Sequence, residues 1–149
     1  MFVGEYQPAL DPKSRLIIPA KFRERLGEKF ILAKGLDSCI FVYPLNEWEK
    51  LVENAQKLPS TAADARRFAR ILFSSAVETD VDKQGRALIT SSLRIHAKID
   101  LENNKDVVVI GVSSRVEIWA LAQWEAYSQE SAKGYEELAE NLTAWDFKI

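Results

Sequence analysis

The chain has 149 residues, 47% apolar and 28% charged, long enough for one domain or two small fused halves and too apolar for a disordered polymer. Twenty basic side chains stand against twenty-two acidic ones, for a formal charge of −2. There is no global positive charge to attract nucleic acid, so any such role has to rest on local charge.

A single cysteine and a single histidine exclude an intramolecular disulfide and a zinc set of ordinary ligand count. Walker, dinucleotide-binding and nucleophile-elbow motifs are all missing. No metal, cofactor, small-molecule substrate or enzymatic activity is therefore expected. Cys39 lies in an apolar run and reads as a small buried hydrophobe. His96 reads as a structural or surface residue. The opening residues lack a basic segment followed by an apolar run, and no apolar stretch is long enough to cross a bilayer. A cytoplasmic protein without membrane contact is expected.

In chain order, alternation of β-branched and aromatic residues predicts a strand over residues 3–9, then a turn and a short strand over 16–18. A short helix over 20–26 and strands over 30–33 and 40–43 follow. Asn46-Glu47-Trp48-Glu49 has the form of a helix N-cap followed by an acidic residue. Leu45, Trp48, Leu51, Val52, Ala55 and Leu58 then share one helical face. Thr61-Ala62-Ala63-Asp64 is a second such box. It opens a helix with Ala65, Phe68, Ala69 and Leu72 on one side and Arg66, Arg67 and Arg70 on the others. The pattern then recurs, with strands over 76–81 and 87–89, a helix over 91–97, and strands over 107–110 and 116–120. In the C-terminal segment Tyr135, Leu138, Leu142 and Trp145 form an apolar stripe, expected to be core or a subunit contact.

The recurrence is an internal repeat. At a shift of 71, Asp11, Arg15, Ile18 and Arg23 fall on Asp82, Arg86, Ile89 and Arg94, and Ile17 and Phe22 fall on Leu88 and Leu93. At a shift of 76, Gly35, Ser38, Ile40, Val42, Tyr43, Leu45 and Trp48 fall on Gly111, Ser114, Val116, Ile118, Trp119, Leu121 and Trp124. Two copies are too few for a solenoid and predict a pseudo-twofold domain. Trp48 and Trp124 are expected to pin equivalent helices onto the two halves.

Each copy carries Asp-x-x-x-Arg at a turn between strands. The Asp carboxylate can accept backbone N–H bonds and fix the turn. Pro12 presets one dihedral in the first turn, and Gly85 offers a positive φ in the second, as a three-residue hairpin loop requires. One reading is a charged hairpin with an internal ion pair. The other is a paired presentation of Arg15 and Arg86, with Lys13 and Lys83 beside them, to phosphates or guanine edges. From Asp11 to Arg25 five basic residues (Lys13, Arg15, Lys21, Arg23, Arg25) face two acidic ones (Asp11, Glu24), whereas two basic residues face six acidic ones from Glu125 to the end. A positive face on an acidic chain is thus possible. Lys21, Arg23 and Arg94 either line that face or are solvated helix charges.

These motifs carry a resemblance. The paired Asp11…Arg15 and Asp82…Arg86, the segment Leu16-Ile17-Ile18-Pro19-Ala20-Lys21-Phe22-Arg23, the set Gly35-Leu36-Asp37…Tyr43-Pro44…Glu47-Trp48 and the opening Met1-Phe2-Val3-Gly4-Glu5-Tyr6 are similar to those of the MraZ family of bacterial transcriptional regulators. The likeness runs to about residue 130. It implies an α+β fold, a swapped-hairpin AbrB-like or SpoVT-like β-barrel made of two pseudo-twofold halves in one chain, with flanking helices. The expected division is residues 5–51 and 77–124 for the halves, 52–76 for a connecting helical segment and 125–149 for a C-terminal helical segment. The resemblance further implies a nucleoid-associated, sequence-specific regulator, commonly a repressor, acting on boxes upstream of the division and cell-wall gene cluster. DNA contacts would come from Arg15 and Arg86, and Lys13, Lys83, Lys21, Arg23 and Arg94 complete the expected DNA-binding set. Asp11, Asp82 and Gly85 would shape the turns. Double-stranded DNA and copies of the same chain in a closed ring, often an octamer, are the implied partners. A cyclic ring presents its sites head to tail and so prefers direct repeats, spaced near one helical turn of about 10 base pairs. The second turn departs from the first at Gln84-Gly85, so the two need not contact DNA equally. An antitoxin-like or other protein-interaction module on the same scaffold is the competing expectation.

Overall fold

The structure, a computed structural model, describes residues 1–147. Its elements in chain order are β1 (Glu5–Tyr6), β2 (Arg15–Ile17), α1 (Ala20–Leu26), β3 (Lys29–Lys34), β4 (Ile40–Pro44), α2 (Leu45–Gln56) and α3 (Ala63–Ser75). The second half follows with β5 (Val77–Asp80), β6 (Arg86–Leu88), α4 (Ser91–His96), β7 (Val107–Val112), β8 (Arg115–Ala120) and α5 (Leu121–Lys133). Helix α6 (Tyr135–Asn141) and a 3₁₀ turn, Leu142–Trp145, end the described chain. The last two residues of the expected C-terminal segment lie outside the described residues.

Six strands form one antiparallel sheet in the order β1-β7-β8-β4-β3-β5, and β2 pairs with β6 in a separate two-stranded ribbon. The hydrogen bonding is that of an open sheet plus a ribbon, not of a closed barrel. The exchange between halves is nonetheless explicit. The opening strand of the first half, β1, pairs with β7 of the second, and β5 of the second half pairs with β3 of the first. The hairpins β3–β4 and β7–β8 meet through β4 and β8 at the centre.

Strand β1 is two residues long where residues 3–9 were expected to be extended throughout. Gly4 takes φ +98° and Pro8 has no N–H to donate, so the ladder is interrupted on both sides. Isolated bridges Phe2↔Ser113 and Ala9↔Asp106 keep the segment against β7. Neither expected capping box forms. Helix α2 begins at Leu45 with Pro44 in the capping position, and α3 begins at Ala63 after Ala62, both without a side-chain cap. At α2 the chain passes straight from strand to helix, which leaves no loop residue to act as a cap. The equivalent junction at α5 shows one substitute for a cap: the Leu121 N–H donates to the Asp106 carbonyl, at 2.9 Å.

Period-two alternation divides the sheet into two apolar faces. Phe30, Leu32, Ile40, Val42, Val107, Val109, Val116 and Ile118 point to one side, where Leu16, Ile18, Ala87 and Ile89 of the ribbon and Phe22 and Leu93 of α1 and α4 complete the main core. Cys39, Phe41, Tyr43, Val108, Ile110 and Trp119 point to the other side, covered by Trp48 and Leu51 of α2 and Leu121 and Trp124 of α5. Trp48 packs against Tyr43 of β4 and edge-on against Phe73 of α3, and Trp124 packs edge-on against Trp119 of β8, so each tryptophan does hold its helix to its half. Trp124 also donates its indole N–H to the Glu5 carboxylate at 2.8 Å. The stripe Tyr135, Leu138, Leu142 and Trp145 is exposed along its length and is not core.

Candidate nucleic-acid interface

Both Asp-x-x-x-Arg turns close in the same way. The Asp11 N–H donates to the Arg15 carbonyl and the Ser14 N–H to the Asp11 carbonyl, at 2.9 and 3.0 Å. Asp82, Arg86 and Gly85 repeat these bonds at 2.9 and 3.0 Å. The fourth residue of each turn is left-handed, with φ +64° at Ser14 and +80° at Gly85. This is the three-residue loop geometry in which a left-handed residue absorbs the extra step of the chain.

Each aspartate organises its own turn. Asp11 Oδ1 accepts the N–H groups of Lys13 and Arg15, both at 2.9 Å, and its Oδ2 accepts Arg15 Nε at 2.8 Å. Asp82 does the same for Gln84, Arg86 and Arg86 Nε, at 2.9, 2.9 and 2.8 Å. Each carboxyl is consequently held below the usual aspartate range, chiefly by the backbone N–H of its arginine (Arg15 or Arg86); desolvation opposes this, and the guanidinium and a second backbone donor add to the lowering. Spending Nε on the carboxylate orients the guanidinium. Among the described residues the two Nη groups of Arg15 have no protein partner.

Tertiary structure joins the two turns. Strands β2 and β6 pair antiparallel with Arg15 opposite Leu88, Leu16 opposite Ala87 and Ile17 opposite Arg86. The ribbon is extended by Ile18 N–H to the Gly85 carbonyl and Ile89 N–H to the Ser14 carbonyl, at 3.0 and 2.9 Å. Arg86 Nη1 lies 3.6 Å from Asp11 Oδ2, so both guanidinium groups gather at one carboxylate. The inner face of the ribbon, Leu16 and Ala87, is fully buried, and the outer face carries Arg15, Ile17, Arg86 and Leu88. A two-stranded ribbon with outward guanidinium groups has the width and chemistry to enter a DNA major groove.

Known proteins place this geometry in a family. A family model described as "MraZ protein, putative antitoxin-like" matches the chain twice, over residues 1–71 and 72–145. The chain belongs to the MraZ family. The two matches meet within α3, between residues 71 and 72, so β1 and β3 belong to the first family unit and β5 and β7 to the second, and the strand exchange seen in the sheet is an exchange between family units. A protein of Pelotomaculum thermopropionicum is 56% identical over 142 residues, covering 95% of each chain. One of Heliobacterium modesticaldum is 53% identical over 146 residues, covering 98% of this chain and 99% of its own. One of Moorella thermoacetica is 51% identical with the same coverage. All three are named transcriptional regulator MraZ.

The remaining expected site residues sit in different settings. Lys13 and Lys83 are exposed on their turns but are not equivalent, since Lys13 aligns with Gln84 and Lys83 with Pro12. Lys21 is exposed at the start of α1. Arg23 and Arg94 are half-buried behind the ribbon. The Arg94 guanidinium donates to the Ile89 carbonyl, and the Arg23 guanidinium fills the space a Cβ would need at Gly85. Arg23 thus packs against the second turn, its buried Nε without a hydrogen-bond partner among the described residues, and Arg94 bonds the strand end that follows β6.

On the opposite face of the sheet, sequence reading overlooked a charge pair. Arg115 binds Glu117 through Nε and Nη2, at 2.9 and 2.8 Å, and stacks over Phe41 at 4.5 Å. Glu117 also accepts Trp119 Nε1–H at 3.1 Å. Burial works to lower the Arg115 pKa, but the hydrogen bond and charge of Glu117 outweigh it and leave it raised. Burial pushes the Cys39 thiol up, away from a reactive thiolate, and the thiol donates to the Leu36 carbonyl. His96 donates through Nε2 to the Gly35 carbonyl at 3.0 Å. Among the described residues no cluster of three or more His, Cys, Asp or Glu could hold a metal, and no helix is long and apolar enough to cross a membrane.

Proposed function

We propose that the chain is a sequence-specific DNA-binding transcriptional regulator, not an enzyme, and that the β2–β6 ribbon is its DNA surface. One observation carries this reading: two guanidinium groups, each locked by its own aspartate, stand on the outer face of a ribbon assembled from both repeats. Pre-set arginines lose little freedom on binding and can reach guanine edges or phosphates. The names of the relatives agree with the role. Arg15 and Arg86 make the principal contacts. Lys13, Lys83 and Lys21 add backbone contacts around them. Arg23 and Arg94 act on DNA only through the turns they support. Residues 5–51 and 77–124 form the binding halves, with 52–76 and 125–149 as connecting and C-terminal segments.

Because the chain is acidic overall, one copy binds weakly. Several copies in a closed ring, an octamer by the family resemblance, would engage direct repeats upstream of division and cell-wall genes and gain by effective concentration. The protein would then act as a nucleoid-associated cytoplasmic repressor. The test is fluorescence anisotropy on duplexes carrying the region upstream of the chain's own gene, titrated with salt. Log affinity should fall linearly with log salt, at about −0.9 per phosphate contacted. Arg15→Ala with Arg86→Ala should abolish the preference over scrambled DNA while the protein stays folded and cooperative in thermal melting. A folded oligomer without that preference would sink the proposal and favour a protein-docking role, for which the exposed stripe from Tyr135 to Trp145 is available.

A further inference from the structure

The outer face of the ribbon carries two side chains that electrostatics does not explain. Ile17 is 53% exposed and Leu88 56% exposed. They occupy the same position in the two repeats, and each stands across the ribbon from the other repeat's arginine, Arg15↔Leu88 and Ile17↔Arg86. Directly opposed Cβ atoms in such a pair are about 4.5–5.5 Å apart, and side chains two apart along one strand are separated by about 6.6 Å. The four therefore form a small array with the arginines on one diagonal and the aliphatics on the other. Nothing in the core calls for the aliphatics. Leu16, Ile18, Ala87 and Ile89 bury the inner face completely. A solvated ribbon position is ordinarily served by a polar residue, and a single exposed aliphatic would need no explanation. Two at equivalent places, each beside a guanidinium held for recognition, call for one.

We propose that Ile17 and Leu88 are specificity-determining residues that contact thymine 5-methyl groups in the major groove, beside base edges read by Arg15 and Arg86. The inference rests on the DNA reading above. Phosphates offer an aliphatic side chain no apolar partner, sugar C–H groups are the same at every nucleotide and cannot carry specificity, and the minor-groove edges carry no methyl. The thymine methyl is the apolar group displayed on the major-groove edges. The separation of about 6.6 Å along a strand corresponds to two base steps of about 3.4 Å. Each repeat should therefore favour a guanine and a thymine about two steps apart.

The test uses the full-length protein and duplexes selected from a random-sequence library. In the winning duplex each thymine is replaced in turn by uracil, which removes only the methyl group. Wild-type protein should lose about fourfold in affinity at each thymine facing Ile17 or Leu88, the equivalent of about 0.8 kcal/mol for one buried carbon. The Ile17→Ser, Leu88→Ser double variant should no longer distinguish thymine from uracil there, while keeping the salt dependence of wild type. Uracil tolerated at every position by wild type would overturn the inference, as would a folded double variant that still discriminates. The uracil series needs no variant, so it decides the matter even if the double variant does not fold. A change of oligomer size in the variant with no change in base preference would assign the pair to subunit contact and overturn it as well. Arg15→Ala with Arg86→Ala separates the two levels. Loss of binding in that variant with uracil neutral removes only this inference. Unchanged binding in it removes the ribbon as the DNA surface and this inference with it, and no sequence enriched from the library removes the DNA reading too.

Discussion

The two turns do the same job with different parts. At the left-handed position the second turn has Gly85, for which φ +80° is no strain. The first has Ser14 at φ +64°, a conformation that carries a penalty of about 1–2 kcal/mol for a residue with a side chain. The difference follows from what lies behind each turn. The Arg23 guanidinium occupies the space a Cβ would take at Gly85, whereas Arg94 is turned to the Ile89 carbonyl and Ser14 keeps its side chain. A second asymmetry sits at the carboxylates. Asp11 receives Arg15 and also Arg86, at 2.8 and 3.6 Å, while Asp82 receives Arg86 at 2.8 Å. A repeat can therefore preserve the presentation of an arginine while its supports diverge.

The largest expected effect tests whether that divergence reaches DNA. Losing one base-reading arginine should cost about 1–3 kcal/mol in specific binding, roughly 5-fold to 150-fold. Arg15→Ala should lie toward the upper end and Arg86→Ala lower, because Arg86 is partly committed to Asp11. Anisotropy on one duplex with both single variants measures the ratio, and equal losses would erase the asymmetry.

Next in size is the turn support. Gly85→Ala combines a strained φ with a collision against Arg23 and should destabilise the chain by about 1–3 kcal/mol, or very roughly 3–10 °C in thermal melting. Ser14→Gly should change stability by no more than about 0.5 kcal/mol, since relief of strain offsets added unfolded-state entropy. Introducing Arg23→Ala into Gly85→Ala should recover part of the loss. No recovery would locate the whole penalty in the backbone.

The smallest effect concerns pH. Both turn carboxyls titrate below the ordinary aspartate value. Their stabilising contribution is therefore complete above about pH 4 and disappears as pH falls through the lowered folded values. The stability difference between wild type and Asp11→Asn should shrink as pH drops from about 5 to 2. Asp82→Asn should show the same trend with a smaller starting difference, because Asp82 serves one arginine. A difference that grows on acidification would contradict the hydrogen-bond assignment.

Much of this was legible in the residues. Helix α1 and the hairpin strands follow from periodicity of 3.6 or two over short windows, and the repeat from the residue matches at shifts of 71 and 76. So did the turn chemistry, because an aspartate bonds backbone only a few positions away. The capping boxes at Asn46 and Thr61 failed for a local reason of their own: the chain enters α2 directly from a strand, and α3 starts at Ala63 behind Ala62. Exposure at Ile17 and Leu88 was readable in principle from alternation after Arg15 and Arg86. What hid it was the strength of the apolar run around each residue.

Sequence by itself determined which residues turn, which alternate and which arginine each aspartate holds, because these are interactions between near neighbours along the chain. It could not determine that β1 crosses to β7, that β5 crosses to β3, or that β2 and β6 pair so that Arg15 and Arg86 share a face. Those pairings join residues 45 to 105 positions apart. They are selected by burying both apolar faces of one six-stranded sheet, one of them under the ribbon, a choice made by the whole chain at once.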